Sequence, residues 1–230
     1  MLADNYSAVR QRIRLACEKA TRRPDSVTLL AVSKTRRADE VRQLSRCGQR
    51  AFGENYLQEA LDKMEALSDL PLEWHFIGPI QSNKTRPIAE RFDWVHSVDR
   101  LKIATRLSQQ RPAGLAPLNV CLQVNISAEA SKAGCTPQAL PALAAAVARL
   151  PNLRLRGLMA IPQPEADPER QRAVFAQVRR LLERLQQTLP ALDTLSMGMS
   201  ADLEAAILEG STLVRVGTAL FGPRNPPAAP

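Results

Sequence analysis

Aromatic side chains make up only 4% of this 230-residue sequence, and histidine occurs twice. So little aromatic surface leaves no platform on which successive bases of a single strand could stack. The four cysteines, Cys17, Cys47, Cys121 and Cys135, stand far apart with no C-x-x-C pair, and His75 and His96 lie far from any cysteine pair. That spacing excludes structural zinc and a disulfide framework, and it fits reduced thiols in a reducing compartment. No apolar run approaches the roughly 20 residues needed to span a bilayer. The opening MLADNYSAVRQRIRLACEKA carries acids early and lacks the short apolar core of a secretion signal. The expectation is a soluble cytoplasmic protein. Charge is not balanced: 31 Lys and Arg against 23 Asp and Glu give a formal +8. The surplus is mostly arginine scattered along helical stretches, so it reads as a solvated basic surface, with no nucleic-acid or membrane partner.

What is present is apolar periodicity, with 45% hydrophobic residues to build a core. Strand-like runs are predicted at 27–33, 51–53, 73–77, 94–97, 118–125, 153–158, 194–197 and 212–216. Helical stretches fall between them at 37–47, 55–67, 82–91, 99–110, 137–150, 168–189 and 200–209, after an opening helix over about 4–21. The clearest, PERQRAVFAQVRRLLERLQQTL, carries Val174, Val178, Leu181, Leu182, Leu185 and Leu189 as one apolar stripe. Regular alternation of this kind means parallel strands with helical crossovers. Eight repeats suit an α/β fold of the closed (β/α)8 TIM-barrel type, in a single domain over 1–223 with an extra N-terminal helix; an open doubly wound sheet is the competing architecture. The Pro-rich end, 224–230, is expected to be a disordered tail.

Barrels place their chemistry at the carboxyl ends of the strands. The first strand ends in Ser33-Lys34-Thr35, the seventh runs into M-G-M-S-A-D at 197–202, and the eighth carries R-V-G-T at 215–218. Ser200, read as the N-cap of the following helix, and Gly217, which allows close backbone approach, suggest a phosphate cup formed by the last two loops. The acids Asp202 and Glu204 should then point away from it. Opposite such a cup, Lys34 acquires a meaning beyond that of a surface group, because a partly desolvated amine can form a Schiff base with a carbonyl. A cofactor with both a phosphate and an aldehyde is pyridoxal 5'-phosphate. Arg215 would be a third handle: a guanidinium beside the pyridine nitrogen discourages its protonation and weakens the ring as an electron sink. The alternative for Arg215 is a barrel-lining charge paired with an acid.

Longer strings carry a resemblance. A-V-S-K-T (31–35), F-G-E-N-Y (52–56), W-H-F-I-G-P-I-Q-S-N-K (74–84), G-L-M-A-I (157–161), L-S-M-G-M-S-A-D (195–202) and V-R-V-G-T-A-L-F-G (214–222) resemble the pyridoxal phosphate homeostasis protein family, in order along nearly the whole chain. The resemblance implies a cytosolic barrel similar to the N-terminal domain of alanine racemase, binding vitamin B6 aldehyde as a lysine aldimine and keeping free cofactor and amino-acid pools in balance, with no established catalysis. It makes Lys34 the Schiff-base lysine, gives Ser200, Gly217 and Thr218 to the phosphate and turns Arg215 to the ring nitrogen. Asn55 falls beside the cofactor, and His75 and Met159 are assigned to the pocket wall, His75 being equally a core histidine. Where the family commonly has lysine and proline after S-K-T, Arg36-Arg37 stands here.

A racemase of the related fold uses a second base, a tyrosine from an added β-rich domain. This sequence stops soon after the eighth strand, and its tyrosines are Tyr6 and Tyr56. Neither is an evident second base, so two-sided proton transfer has no agent. The reading is therefore a monomeric carrier that holds the cofactor and delivers it to apo-enzymes; a slow racemase-like enzyme is the alternative. A phosphometabolite barrel enzyme with Lys34 as base is a third.

Overall fold

The computed structural model describes residues 1–127 and 133–223, so the Pro-rich segment predicted as a tail lies outside the described residues. Eight parallel strands close in sequence order into a barrel. They are β1 (Thr28–Val32), β2 (Ala51–Glu54), β3 (Glu73–Phe76), β4 (Trp94–Val98), β5 (Leu118–Gln123), β6 (Leu153–Met159), β7 (Thr194–Ser196) and β8 (Leu213–Val216). The outer helices are α2 (Ala38–Arg46), α3 (Leu57–Ala66), α4 (Thr85–Arg91), α5 (Leu101–Gln110), α6 (Leu140–Val147), α7 (Pro168–Gln186) and α8 (Leu203–Leu208), with α1 (Leu2–Lys19) before the barrel and a short α9 (Thr218–Phe221) after β8. The open-sheet alternative fails on the pairing of β1 with β8, where Leu30 lies opposite Arg215.

Side chains alternate along each strand, so every strand offers one row to the helices and one to the barrel interior. The outward rows (Leu29 and Ala31, Phe52, Trp74 and Phe76, Val120 and Leu122, Val214 and Val216) join the helices in the main hydrophobic core. Inside lie two small apolar clusters, one of Leu30, Ala51 and Leu213 and one of Trp94, Cys121 and Met159. The remaining interior is polar, with His75, His96, Ser196 and Arg215 all buried. The apolar stripe read on α7 is its buried face, through Val178, Leu181, Leu182 and Leu185. Asp167 caps that helix by accepting from the Glu169 amide at 2.9 Å, with Pro168 in the first turn.

The N-terminal helix ties the first repeat to the last. Asn5 donates to the Leu220 carbonyl at 2.8 Å, Arg12 forks onto Glu204 at 2.6 and 2.8 Å, and Arg22 donates to the Ile207 and Ser211 carbonyls. Several arginines of the basic surplus are spent likewise, Arg156 on Asp193 and Arg172 on Glu209 at 2.7 and 2.8 Å. All four cysteines are free, and burial pushes the Cys121 thiol up to about 12. Among the described residues, no helix is long and apolar enough to cross a membrane.

Candidate functional site

The inward rows of β1, β2, β3 and β8 continue past the strand ends, and this is what gathers the site. Beyond Leu30 and Val32 the row reaches Lys34; beyond Ala51 and Gly53 it reaches Asn55; beyond His75 it reaches Ile77; beyond Leu213 and Arg215 it reaches Gly217. Lys34, Asn55, Ile77, Ser200, Arg215, Gly217 and Thr218 line one cavity of about 290 Å³, with Ile161 and Met199 at its edge. A wider groove of about 560 Å³ runs along α1, but Tyr6, Arg10, Arg14 and their neighbours form it far from the strand ends.

Six of the eight residues singled out in the sequence thus share one cavity. His75 and Met159 do not reach it. Both sit deeper in the barrel, His75 1% exposed and hydrogen-bonded to His96, Met159 fully buried against Trp94 and Cys121. Their strings match the family, but the pleat sets them one layer below the rim.

Ser200 reaches the cavity by a different route from the predicted cap. Helix α8 begins at Leu203, and its N-cap is Asp202, whose carboxylate accepts from the Met199 amide at 2.6 Å. The Ser200 hydroxyl instead crosses to the next loop and accepts from the Ala219 amide at 3.2 Å. It therefore joins the loop after β7 to the first turn of α9, whose opening N–H groups have no partner inside the helix. Glu204 faces away, paired with Arg12.

Arg215 is buried, and its Nη1 donates to the Ser196 carbonyl and hydroxyl at 2.6 and 2.7 Å while Nη2 donates to the Ala160 carbonyl at 2.9 Å. Burial brings its pKa down to about 10, so it stays a cation at neutral pH. These partners are neutral oxygens; among the described residues no carboxylate pairs with it within 4 Å, and the acid that acts on it is Asp202, at longer range and opposing the effect of burial. The fork keeps N–H groups for the cavity it lines.

Sequence reading missed the support beneath Lys34. Behind the turn that follows β1, the Lys63 amine of α3 is 5% exposed and donates to the Ser33 carbonyl at 2.5 Å, to Glu54 at 2.8 Å and to Glu59 at 2.6 Å. Ser33 donates its hydroxyl to Glu54, and Glu59 accepts from the Thr35 amide, both at 2.6 Å. Residues on both sides of Lys34 are thereby held, which supports the positive φ of 63° at Thr35. The spacing Glu59-x-x-x-Lys63 was the available signal, but it also reads as an ordinary helical ion pair. Arg36 was also missed: it donates to the Gly222 and Pro223 carbonyls at 2.6 and 3.1 Å and lines a cleft of about 30 Å³ beside Lys34, Gly217 and Thr218. Gly78 is required by packing, since a Cβ there would lie 2.2 Å from the Asn55 carbonyl oxygen.

Two features test whether a phosphorylated aldehyde fits. The Asn55 side-chain oxygen is buried in the cavity wall without a hydrogen-bond partner, as expected of an atom reserved for a ligand. At Gly217, φ is negative and a Cβ would make only ordinary contact, 3.4 Å from the Val32 carbonyl. The protein itself does not demand glycine there, so the space a side chain would fill belongs to the cavity. With an amine and a guanidinium on its walls and a cradle of loop amides between them, the residues fit the cofactor.

Eight parallel strands close into a barrel with this cavity at their carboxyl ends, and the sequence matches the alanine racemase N-terminal domain family over residues 5–225. The chain is 67% identical to the pyridoxal phosphate homeostasis protein of Pseudomonas aeruginosa, an alignment covering 97% of this chain and 96% of that one. It is 55% identical to the protein of the same name from Escherichia coli K12, with 97% of each covered. The structure of PipY from Synechococcus elongatus, solved with PLP bound, superposes with a TM-score of 0.84 at 39% identity, covering 96% of this chain and all of that one. The chain belongs to the pyridoxal phosphate homeostasis protein family.

Proposed function

We propose that the chain carries pyridoxal 5'-phosphate in the cavity at the carboxyl ends of its strands, acting in intracellular cofactor homeostasis and delivery and in amino-acid balance. The observation that carries this reading is the convergence of Lys34, Arg215 and the Ser200, Gly217 and Thr218 loops on one cavity of about 290 Å³. Lys34 bonds the aldehyde. Ser200 and the amides of Gly217 and Thr218 hold the phosphate. Arg215 faces the ring nitrogen, and Asn55 meets a polar atom of the ligand with its unpartnered oxygen. The cofactor supplies an aldehyde that amines can exchange, and the protein supplies a shaped wall around it.

Holding without turnover is supported by the walls themselves. Among the described residues that line the cavity, Lys34 is the one ionisable group besides Arg215. Tyr56 is exposed and lines a neighbouring groove with Gln58, Pro79 and Lys84 instead. A single amine can take and release a carbonyl, whereas racemisation needs acid and base on opposite faces. The protein works as a monomer in the cytoplasm, its domain spans 1–223, and its partners are the cofactor and apo-enzymes that require it.

The test is to purify the protein, add the cofactor, reduce with borohydride and map the labelled peptide. A label on Lys34 is expected; a visible band with the label elsewhere overturns the assignment. Incubation of loaded protein with single-enantiomer alanine then separates carrier from enzyme, racemisation supporting the slow-enzyme alternative. Gly217→Ala isolates the phosphate cradle. Its methyl meets the protein at ordinary contact, so stability should hold or rise by about 0.4–1 kcal/mol. Cofactor affinity, measured by absorbance titration, should fall by roughly tenfold as the methyl takes the cradle's space.

A further inference from the structure

The polar interior of the barrel forms a continuous chain. Glu73 opens β3 at the end remote from Lys34, and its carboxylate lies 2.8 Å from His75 Nε2. His75 Nδ1 is 2.9 Å from His96 Nε2, His96 Nδ1 is 2.7 Å from the Ser196 hydroxyl, and that hydroxyl accepts from Arg215 at 2.7 Å. Trp94 stacks on His75 at 5.4 Å between centroids, only 6° from parallel. The chain therefore runs from the amino-terminal mouth to the cavity through four strands.

Its direction follows from the ends. Glu73 can only accept while ionised, and the hydrogen bond from His75 holds its carboxyl below the usual range against a partial loss of solvent. Burial, with His75 and Arg215 adding to it, keeps His96 neutral, well below the ordinary histidine range. Arg215 can only donate. One pattern with both imidazoles neutral satisfies every link: Arg215 to Ser196, Ser196 to His96 Nδ1, His96 Nε2–H to His75 Nδ1, His75 Nε2–H to Glu73. In the opposite tautomers, the Ser196 hydroxyl would accept from both neighbours and its own hydrogen would lose its acceptor. The other charged groups near this mouth are committed: Asp93 accepts from the Trp74 amide at 2.8 Å, and Arg156 pairs with Asp193 while lying 4.6 Å over Trp94.

We propose that Glu73 is a positioning residue for the cofactor ring: it sets the tautomers of His75 and His96 and so decides how firmly Arg215 is held, because a Ser196 hydroxyl that donates to His96 accepts more strongly from Arg215. This rests on the reading that Arg215 faces the ring nitrogen. Glu73 touches nothing in the cavity, so it acts only by transmitting donor and acceptor direction across the barrel.

Charge reversal at the far end supplies the test. Glu73 is 48% exposed, so Glu73→Lys and Glu73→Gln are both tolerated by the fold, checked by thermal melting. Lysine only donates and forces the opposite tautomers; glutamine keeps an acceptor oxygen, and the Arg215 end preserves the original direction. The loaded proteins are compared by nitrogen NMR of labelled histidine and labelled cofactor and by absorbance titration. Glu73→Lys should move the His96 proton from Nε2 to Nδ1, shift the ring-nitrogen resonance and weaken binding by roughly tenfold, with Glu73→Gln like wild type. Unchanged tautomers in Glu73→Lys, or changed tautomers with an unmoved ring nitrogen and affinity, overturn the inference. A protonated ring nitrogen in the wild type overturns the underlying reading of Arg215 instead, and needs no variant to be seen.

Discussion

Replacing Lys34 by alanine should abolish borohydride-stable labelling and the Schiff-base absorption band, and lower affinity on the order of a hundredfold. The size follows from what remains. Arg215, Ser200 and the Gly217-Thr218 turn stand on other elements of the cavity wall and are untouched by the change. Phosphate and ring contacts should therefore survive as a weaker, reversible site, detectable by equilibrium dialysis and showing the absorbance of the free aldehyde instead of that of a Schiff base. Lys34 is part-buried on a turn outside β1, and its removal opens no core cavity, so stability should shift by less than about 1 kcal/mol. Lys34→Arg is the sharper control, because it keeps the charge but has no nucleophilic amine. If charge alone held the cofactor, arginine would rescue affinity; the carrier reading expects neither labelling nor the band to return. A labelled Lys34→Ala protein would place the bonding amine elsewhere and end this assignment.

How much of this was legible in the sequence depends on which force fixed each feature. The strands of the barrel are largely buried and so appear as short runs rich in apolar residues, and the structure keeps them within one or two residues, as at β8, predicted at 212–216 and observed at Leu213–Val216. Lys34, Arg215, Gly217 and Thr218 were legible because strand ends are where a barrel gathers polar groups. Ser200 lines the cavity but is not the predicted cap, since a serine before a helix reads as a cap and nothing local says that its partner is the Ala219 amide of the next repeat. His75 and Met159 were misplaced for a related reason. Motif strings give adjacency in sequence, while the pleat decides which layer of the barrel a side chain enters. The Glu73–His75–His96–Ser196–Arg215 chain is assembled from four strands and could not be read from any one of them. The same holds for Glu54 and Lys63, whose pairing is a contact between the end of β2 and the buried face of α3.

That pairing gives the largest expected effect on stability. Lys63→Met removes the cation that serves Glu54, Glu59 and the Ser33 carbonyl, in a volume close to that of the original stem. Glu54 is fully buried, and one of its oxygens already lacks a partner. Breaking one side of a buried pair costs about 3–5 kcal/mol, which for a chain of this size is roughly 6–20 °C in Tm. The pH dependence identifies the cause. Burial raises the Glu54 pKa in the folded protein, with Lys63 opposing it. A carboxyl whose folded pKa lies above its unfolded value contributes stability at low pH and loses it as pH rises through the folded pKa. Without Lys63 that pKa climbs further, so the Tm deficit of the variant against wild type should be small in acid and widen as pH rises from about 5 to about 8. A deficit independent of pH would mean that lost packing, not the stranded carboxylate, is responsible. Adding Glu54→Gln removes the charge while leaving an acceptor for the Ser33 hydroxyl, and the double variant should recover most of the loss and lose the pH dependence. Cofactor affinity should not recover with it, because the Ser33 carbonyl still lacks its Lys63 donor and the turn carrying Lys34 stays loosened on that side. Stability and binding would then separate in one protein, with the ion pair serving the fold and the Lys63 bond to Ser33 serving the site.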